Sequence, residues 1–467
     1  MRFAGLLILA GLLAGCVSTP PKTGDVREFQ FPYVHDYSVV NGTTFLWSDT
    51  FLTNSSYAYS QEIAGPLSAL AASTYGSALD LDVQALEGLG FNSQLLYRRY
   101  GADLDYADPR YGKNQVGFTL AVKRVWLDNA VRDVLFVLVR GTYGRNEWLS
   151  NLNACNTWGA QIDPDPAAIP TLHEGFERAA GAIREKLLDY IQTCQIDLSQ
   201  AKVVVTGHSR GAAVANILGA WFDEGLPPFT GVSPENVFVY TFATPNSVIR
   251  PDRIACKMAL YGNIFNVINP EDIVPLVPIA KWNACRYGSD LFLKNYDELS
   301  LWGVWMDPGY TGMKDAFQRM TGYEWWHTPL GTNSTQLVPA LLGAVAPTVA
   351  GLYAIPKDQR ADGNLTSVHS ILETVLYRSM DAQSTLGEDV NNLTHAYATV
   401  SEKKDEDDFA EYFYTPDGRD FSRQPGFFDF PWRLSCMHAT QTYIGWMKAA
   451  EKHGPQAIYK NWKELEP

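Results

Sequence analysis

Four short runs of uninterrupted apolar residues, 134–139, 203–205, 237–242 and 264–268, mark the middle of the chain. Apolarity that does not alternate predicts strands buried on both faces, as in a mostly parallel sheet. Between these runs the period changes. Phe176, Ala180, Ile183, Leu187 and Ile191 recur at helical spacing, and so do Val214, Ile217, Leu218, Trp221 and Phe222. Strands alternating with helices predict an α/β fold with right-handed crossovers between parallel strands.

The pattern loosens over 291–431, which reads as an insertion in the C-terminal half of the α/β domain. Trp302, Trp305, Trp325 and Trp326 make a tryptophan-dense patch there. The stretch 337–355 carries no charge but is broken by Pro339, Gly343, Pro347 and Gly351. Those breaks disfavour a membrane span. Buried cap helices are expected, with an apolar lid or an element that dips into lipid as the alternative. Near the N-terminus, Arg2 precedes an apolar stretch, 6–13, that is short for a bilayer span and suited to a signal-peptide core. It ends in Leu13-Ala14-Gly15-Cys16, which resembles the bacterial lipobox, where the cysteine is lipidated and becomes the mature N-terminus. The expected organisation is a lipoprotein signal peptide at 1–16, a tether and N-terminal extension at 17–59, and the α/β domain at 60–467. Acyl chains on Cys16 would hold the protein on a membrane surface of the bacterial cell envelope. Val17, rather than aspartate, after the cysteine points to the outer membrane.

With 467 residues, 46% hydrophobic and 19% charged, the chain can bury a full core. Its net charge of −14 argues against nucleic acid as a partner, because phosphate binding needs a basic stripe. Export makes Cys155, Cys194, Cys256, Cys285 and Cys436 candidates for disulfides. Proximity along the chain suggests Cys155–Cys194 and Cys256–Cys285. No CxxC spacing or His/Cys cluster suggests a metal, no cofactor is implied, and the oligomeric state is not legible.

Polar residues gather where the predicted strands end. Arg140-Gly141-Thr142, Gly207-His208-Ser209, Thr244-Pro245 and Asp272 each follow the C-terminal end of a strand. Open α/β sheets place their sites along that edge. The second group carries most chemistry. From Lys202 to Ala213 the chain reads as a β-branched run, then Gly207-His208-Ser209-Arg210-Gly211, then the start of a helix. This is a nucleophile elbow, a tight strand-to-helix turn that lifts a serine hydroxyl above the sheet. Side chains at Gly207 and Gly211 would collide where helix meets strand. Serine also needs a base, itself oriented by a carboxylate. Asp272, in the turn Asn269-Pro270-Glu271-Asp272-Ile273-Val274-Pro275, is the carboxylate candidate, with Glu271 as its neighbouring alternative.

Val139-Arg140-Gly141-Thr142, Leu172-His173-Glu174-Gly175-Phe176, the elbow and Asp272-Ile273-Val274-Pro275 together resemble the class 3 lipase family. This is the fungal-lipase-like branch of the α/β-hydrolases, here in a bacterial exported form, and the resemblance spans roughly 117–288. It implies an α/β-hydrolase fold and serine-dependent hydrolysis of lipid esters, of the triacylglycerol lipase or phospholipase type. It also implies that the backbone N–H groups of Thr142 and Arg210 form the oxyanion hole, with the Thr142 hydroxyl as a further donor. Arg210 stands where leucine is common in the family. Among eight histidines, His35 and His173 precede the serine and His208 lies inside the elbow, so chain order sets all three aside as the base. His438 opens His438-Ala439-Thr440-Gln441-Thr442-Tyr443-Ile444-Gly445-Trp446-Met447, which resembles the histidine-then-helix ending of bacterial members. His369 opens the similar His369-Ser370-Ile371-Leu372-Glu373-Thr374, and both stay open. Two other functions fit the same residues: a short-chain esterase or acyltransferase, and a non-catalytic surface lipoprotein binding lipid or protein through the tryptophan-rich insert.

Overall fold

The computed structural model describes residues 26–36, 39–100, 116–142, 171–250, 252–272, 274–276, 284–295, 306–325 and 436–462. Cys16, Cys155, His369, Trp302, Trp305, Trp326 and the stretch 337–355 lie outside them.

An antiparallel hairpin comes first, β1 (Arg27–Asp36) with β2 (Val39–Trp47). Helices α1 (Gln61–Ser73) and α2 (Leu81–Gly88) follow. The central sheet starts with β3 (Tyr97–Arg99), β4 (Phe118–Leu127) and β5 (Ala130–Val139), which pair antiparallel. After β6 (Thr171–Leu172) and α3 (Glu174–Cys194) come β7 (Lys202–His208), α4 (Arg210–Asp223) and β8 (Val237–Phe242). A short β9 (Val248–Ile249) precedes β10 (Ile264–Ile268), and β11 (Ala284–Cys285) precedes β12 (Ser289–Phe292). Helices α5 (Pro308–Thr321) and α6 (Thr440–His453) close the described chain. The sheet order is β12-β10-β8-β7-β5-β4-β3, parallel from β5 to β12. A mostly parallel sheet with helices on both faces and a nucleophile elbow after β7 is the α/β-hydrolase fold.

The four apolar runs lie on β5, β7, β8 and β10, and two of them coincide with the strand limits. The run at 134–139 falls short of β5, which begins four residues earlier, at Ala130. There β5 is partly exposed and polar, and it is held by pairing with β4 across the turn Asp128-Asn129. Both turn residues have positive φ, 51° and 60°, the twist that tight hairpins favour. Alternation along the strands splits the core. Val134, Phe136, Leu138, Val204, Phe242 and Val267 face α1, α2 and α6. Leu135, Val137, Val139, Val203, Val205 and Val239 face α3 and α4.

Residues of the N-terminal hairpin and of the 291–431 insertion are woven into this core. Phe31, Tyr33, Phe45 and Trp47 of the hairpin are buried with Leu67, Leu70 and Phe136. Within 291–431, α5 packs on α6 closely enough that a Cβ added at Gly445 would sit 3.0 Å from the Met313 carbonyl oxygen. Trp325 is buried there too, against Tyr310, and its Nε1 donates to Thr442 Oγ1 at 3.1 Å. Among the described residues no helix is long and apolar enough to cross a membrane.

Cys256 and Cys285 form a disulfide. Cys194 carries a free thiol, so the expected Cys155–Cys194 bridge is not made. Nearness in sequence does not bring two thiols into bonding geometry. Cys194 ends α3, where its thiol hydrogen-bonds to Tyr190 one turn back.

Candidate active site

Ser209 sits between β7 and α4 with φ 58° and ψ −129°, a sparsely populated conformation for a non-glycine residue. Its backbone N–H donates to the Phe242 carbonyl at 2.9 Å, and its carbonyl accepts from Ala212 at 2.9 Å. Both elbow glycines are sterically required. A Cβ at Gly207 would lie 2.5 Å from the Gly211 oxygen, and one at Gly211 would strike the Val139 carbonyl and the Arg140 backbone. That second contact also sets the loop after β5, with Thr142, against the start of α4. Thr142 is buried, and so is the whole of Arg210. The first amides of α4 have no intrahelical acceptor, and the helix dipole favours negative charge at that end.

Asp272 follows β10 and is fully buried. Its Oδ1 accepts the Val274 backbone N–H at 2.9 Å, which pins the turn. Its Oδ2 accepts twice, from His438 Nδ1 at 2.8 Å and from the Tyr443 hydroxyl at 2.8 Å. On the far side of the ring, His438 Nε2 lies 2.8 Å from Ser209 Oγ. A carboxylate only accepts, so His438 carries its proton on Nδ1 and leaves Nε2 to accept from the serine hydroxyl. The ring is partly exposed, 24%, whereas Asp272 is not exposed at all. Glu271 is buried one residue away, but it is Asp272 that meets the imidazole. Burial, and then the Asp272 charge, push the Tyr443 hydroxyl well above the usual tyrosine range, so it stays a donor.

Several residues in this arrangement were not singled out by motif. Asn269 Nδ2 donates to the Met437 carbonyl at 3.1 Å, and the Thr442 hydroxyl donates to the Cys436 carbonyl. Arg286, next to Cys285, donates from Nη1 to the carbonyls of Thr244 and Pro275, and from Nε to Asp290 at 2.9 Å. It thereby ties together the loops after β8 and β10. His208, set aside by chain order as a base, donates from Nε2 to the His438 carbonyl at 2.9 Å. Thr442 and Tyr443 were visible as part of the histidine-then-helix run. The bonds of Asn269 to Met437, of His208 to His438 and of Arg286 to Thr244 join positions far apart in sequence, and nothing local marks those pairings. Among the described residues no group of His, Cys, Asp and Glu side chains could hold a metal ion.

Residues 136–282 match the class 3 lipase family. Over 160 residues the chain is 23% identical to a lipase of Rhizomucor miehei, which is 34% of this chain and 41% of that protein. Over 152 residues it is 28% identical to a secreted mono- and diacylglycerol lipase of Fusarium solani, 32% of this chain and 41% of that protein. The match thus spans about two fifths of the length of these curated relatives. The solved structure of the Rhizomucor miehei triacylglyceride lipase aligns with a TM-score of 0.33 at 20% identity, covering 52% of this chain and 83% of that one.

Proposed function

We propose that this protein hydrolyses carboxylic esters of lipids through Ser209, His438 and Asp272. The observation that carries the reading is the continuous contact from Ser209 Oγ through the His438 ring to Asp272, 2.8 Å on each side. Ser209 Oγ attacks the ester carbonyl carbon while His438 Nε2 takes the hydroxyl proton. The tetrahedral oxyanion is held by the backbone N–H groups of Thr142 and Arg210. As the acyl–oxygen bond breaks, His438 returns that proton to the leaving alcohol. Water repeats the sequence on the acyl-enzyme and releases the fatty acid. Asp272 fixes the tautomer and stabilises the imidazolium formed in between. The match to class 3 lipases over 136–282 supports an acylglycerol as the substrate, with phospholipid as the nearest alternative. Leu13-Ala14-Gly15-Cys16 supports lipid anchoring in the bacterial envelope, and Val17 supports the outer membrane.

A fluorophosphonate probe tests the chemistry. The protein lacking residues 1–16 is expected to form one adduct, mapped to Ser209, and to lose it together with ester hydrolysis in Ser209→Ala. Turnover retained in a well-folded Ser209→Ala would remove the assignment. Faster release of fatty acid from emulsified long-chain acylglycerol than from a soluble short-chain ester marks a lipase, and the reverse marks an esterase. No adduct in folded protein, with or without detergent, would leave the binding lipoprotein as the better reading. Anchoring is tested separately, by radiolabelled palmitate that enters the wild type and not Cys16→Ser.

A further inference from the structure

Ser209 and His438 are 229 residues apart, so chain connectivity does little to hold the base against the nucleophile. Side chains that grip the backbone around His438 must do so, and one of them belongs to the elbow itself. We infer that His208 is a positioning residue, which carries the base loop on its Nε2–H and is in turn oriented by Tyr75. The inference rests on the ester-hydrolase reading above.

His208 Nε2 lies 2.9 Å from the carbonyl oxygen of His438, and the Tyr75 hydroxyl lies 2.9 Å from His208 Nδ1. A carbonyl can only accept, so the proton of the neutral ring sits on Nε2. Nδ1 is then an acceptor, and Tyr75 donates to it. Each residue of the line touches a different functional loop. A Cβ at Gly141, in the loop that leads to Thr142, would overlap the Tyr75 hydroxyl and lie 2.7 Å from the His208 carbonyl oxygen. Gly141 and His208 therefore meet at one tyrosine hydroxyl, and His438 joins them through the far nitrogen of the His208 ring. The imidazole is buried, its ring centre 4.8 Å from that of His438. Burial, then the neighbouring His438, lower its basicity well below the usual histidine range. A neutral ring here avoids a second positive charge beside the imidazolium that His438 becomes during turnover. On this account His208 never exchanges a proton with substrate.

The test separates a specific donor from general packing. Glutamine places an amide N–H about as far from the backbone as Nε2, whereas asparagine is shorter and phenylalanine has no donor. Displacing a catalytic group by about 1 Å costs on the order of 10²-fold. His208→Phe and His208→Asn should therefore lose roughly 10- to 100-fold in kcat on p-nitrophenyl butyrate with KM nearly unchanged. His208→Gln should stay within about threefold of wild type, and Tyr75→Phe should fall between them. Equal kcat in wild type, His208→Phe and His208→Asn would overturn the inference, and so would a His208→Gln as impaired as His208→Phe. A second readout needs no turnover and no folded variant of low yield. Histidine 15N spectra of the wild type should show one neutral Nε2–H ring whose state is constant from pH 5 to 8. A His208 ring that is in the Nδ1–H form, or that titrates in that range, sinks the proposal even if hydrolysis is normal. Absence of both hydrolysis and fluorophosphonate labelling in wild type would instead sink the ester-hydrolase reading.

Discussion

At the scale of single residues, the candidate site divides into groups that motifs reveal and groups that only the fold assembles. Ser209 is legible because the elbow needs glycines at fixed offsets, and those are visible in any sequence. Asp272 is legible because it follows an apolar run in a proline-bounded turn. The commonest fate of a turn aspartate, bonding its own backbone, also holds here, since Oδ1 takes the Val274 amide while Oδ2 faces His438. Tyr443 shares that Oδ2 from 171 positions away, and no local pattern says which hydroxyl will arrive there. Its role can be separated from that of the acid. Asp272→Asn leaves His438 free to take the wrong tautomer, and a loss of about 10⁴ in kcat is expected. Tyr443→Phe removes one charge-assisted hydrogen bond, worth about 1.5–3 kcal/mol, while the Asp272–His438 contact remains. The expected cost is therefore roughly 10- to 150-fold in kcat with KM unchanged, measured on a soluble ester. A Tyr443→Phe as inactive as Asp272→Asn would mean that the hydroxyl, not His438, fixes the carboxylate.

Among elements, the parallel strands were the most legible part of the fold, because strands buried on both faces need apolar residues at every position. The antiparallel edge was not. Trp126 on β4 and Val131 on β5 are exposed, and the outer half of that hairpin alternates too weakly to stand out from a loop. Cysteine pairing shows the same limit. Cys256–Cys285 closes 29 residues between the segment leading into β10 and β11, whereas Cys194 is occupied with its own helix. The bridge sits beside Arg286, whose guanidinium holds two loops of the candidate site, and beside Lys257, 3.1 Å from the same Asp290 that Arg286 binds. Removing a bridge of this kind costs about 2–4 kcal/mol. Cys256→Ser with Cys285→Ser should thus lower the denaturation midpoint by a clear margin. Wild type in reductant should superimpose on the double variant. A midpoint that reductant does not move would show that the bridge adds nothing to stability.

For the molecule as a whole, segments far from the four apolar runs complete the core. The hairpin near the N-terminus and α5 both contribute to the central core, since Tyr33 reaches Met320 of α5 and Tyr310 packs on Trp446 of α6. The helix α4 connects the two ends of this assembly, from Ser209 at its start to Asp223 at its finish, and the far end carries a pH dependence of its own. Asp223 is buried; its Oδ1 accepts from Asn263 Nδ2 at 2.8 Å, and its Oδ2 has no hydrogen-bond partner among the described residues. Burial, opposed by the Asn263 bond and aided by Glu224, raises its pKa from 3.8 to about 8. The negative end of the helix dipole acts in the same direction. The folded state therefore favours the neutral acid. Below pH 4 the carboxyl is neutral in both folded and unfolded chains, and no penalty arises. As pH rises from about 4 to about 8 only the unfolded chain ionises, so stability falls by up to about 1.4 kcal/mol per pH unit, then levels off. Asp223→Asn keeps the acceptor for Asn263 and replaces the acid hydroxyl with an amide N–H, without a titratable group. Its melting temperature should match wild type at pH ~3.5 and exceed it by a widening margin up to pH ~8. A gap between the two proteins that is the same at both pH values would mean that Asp223 is already ionised in the fold.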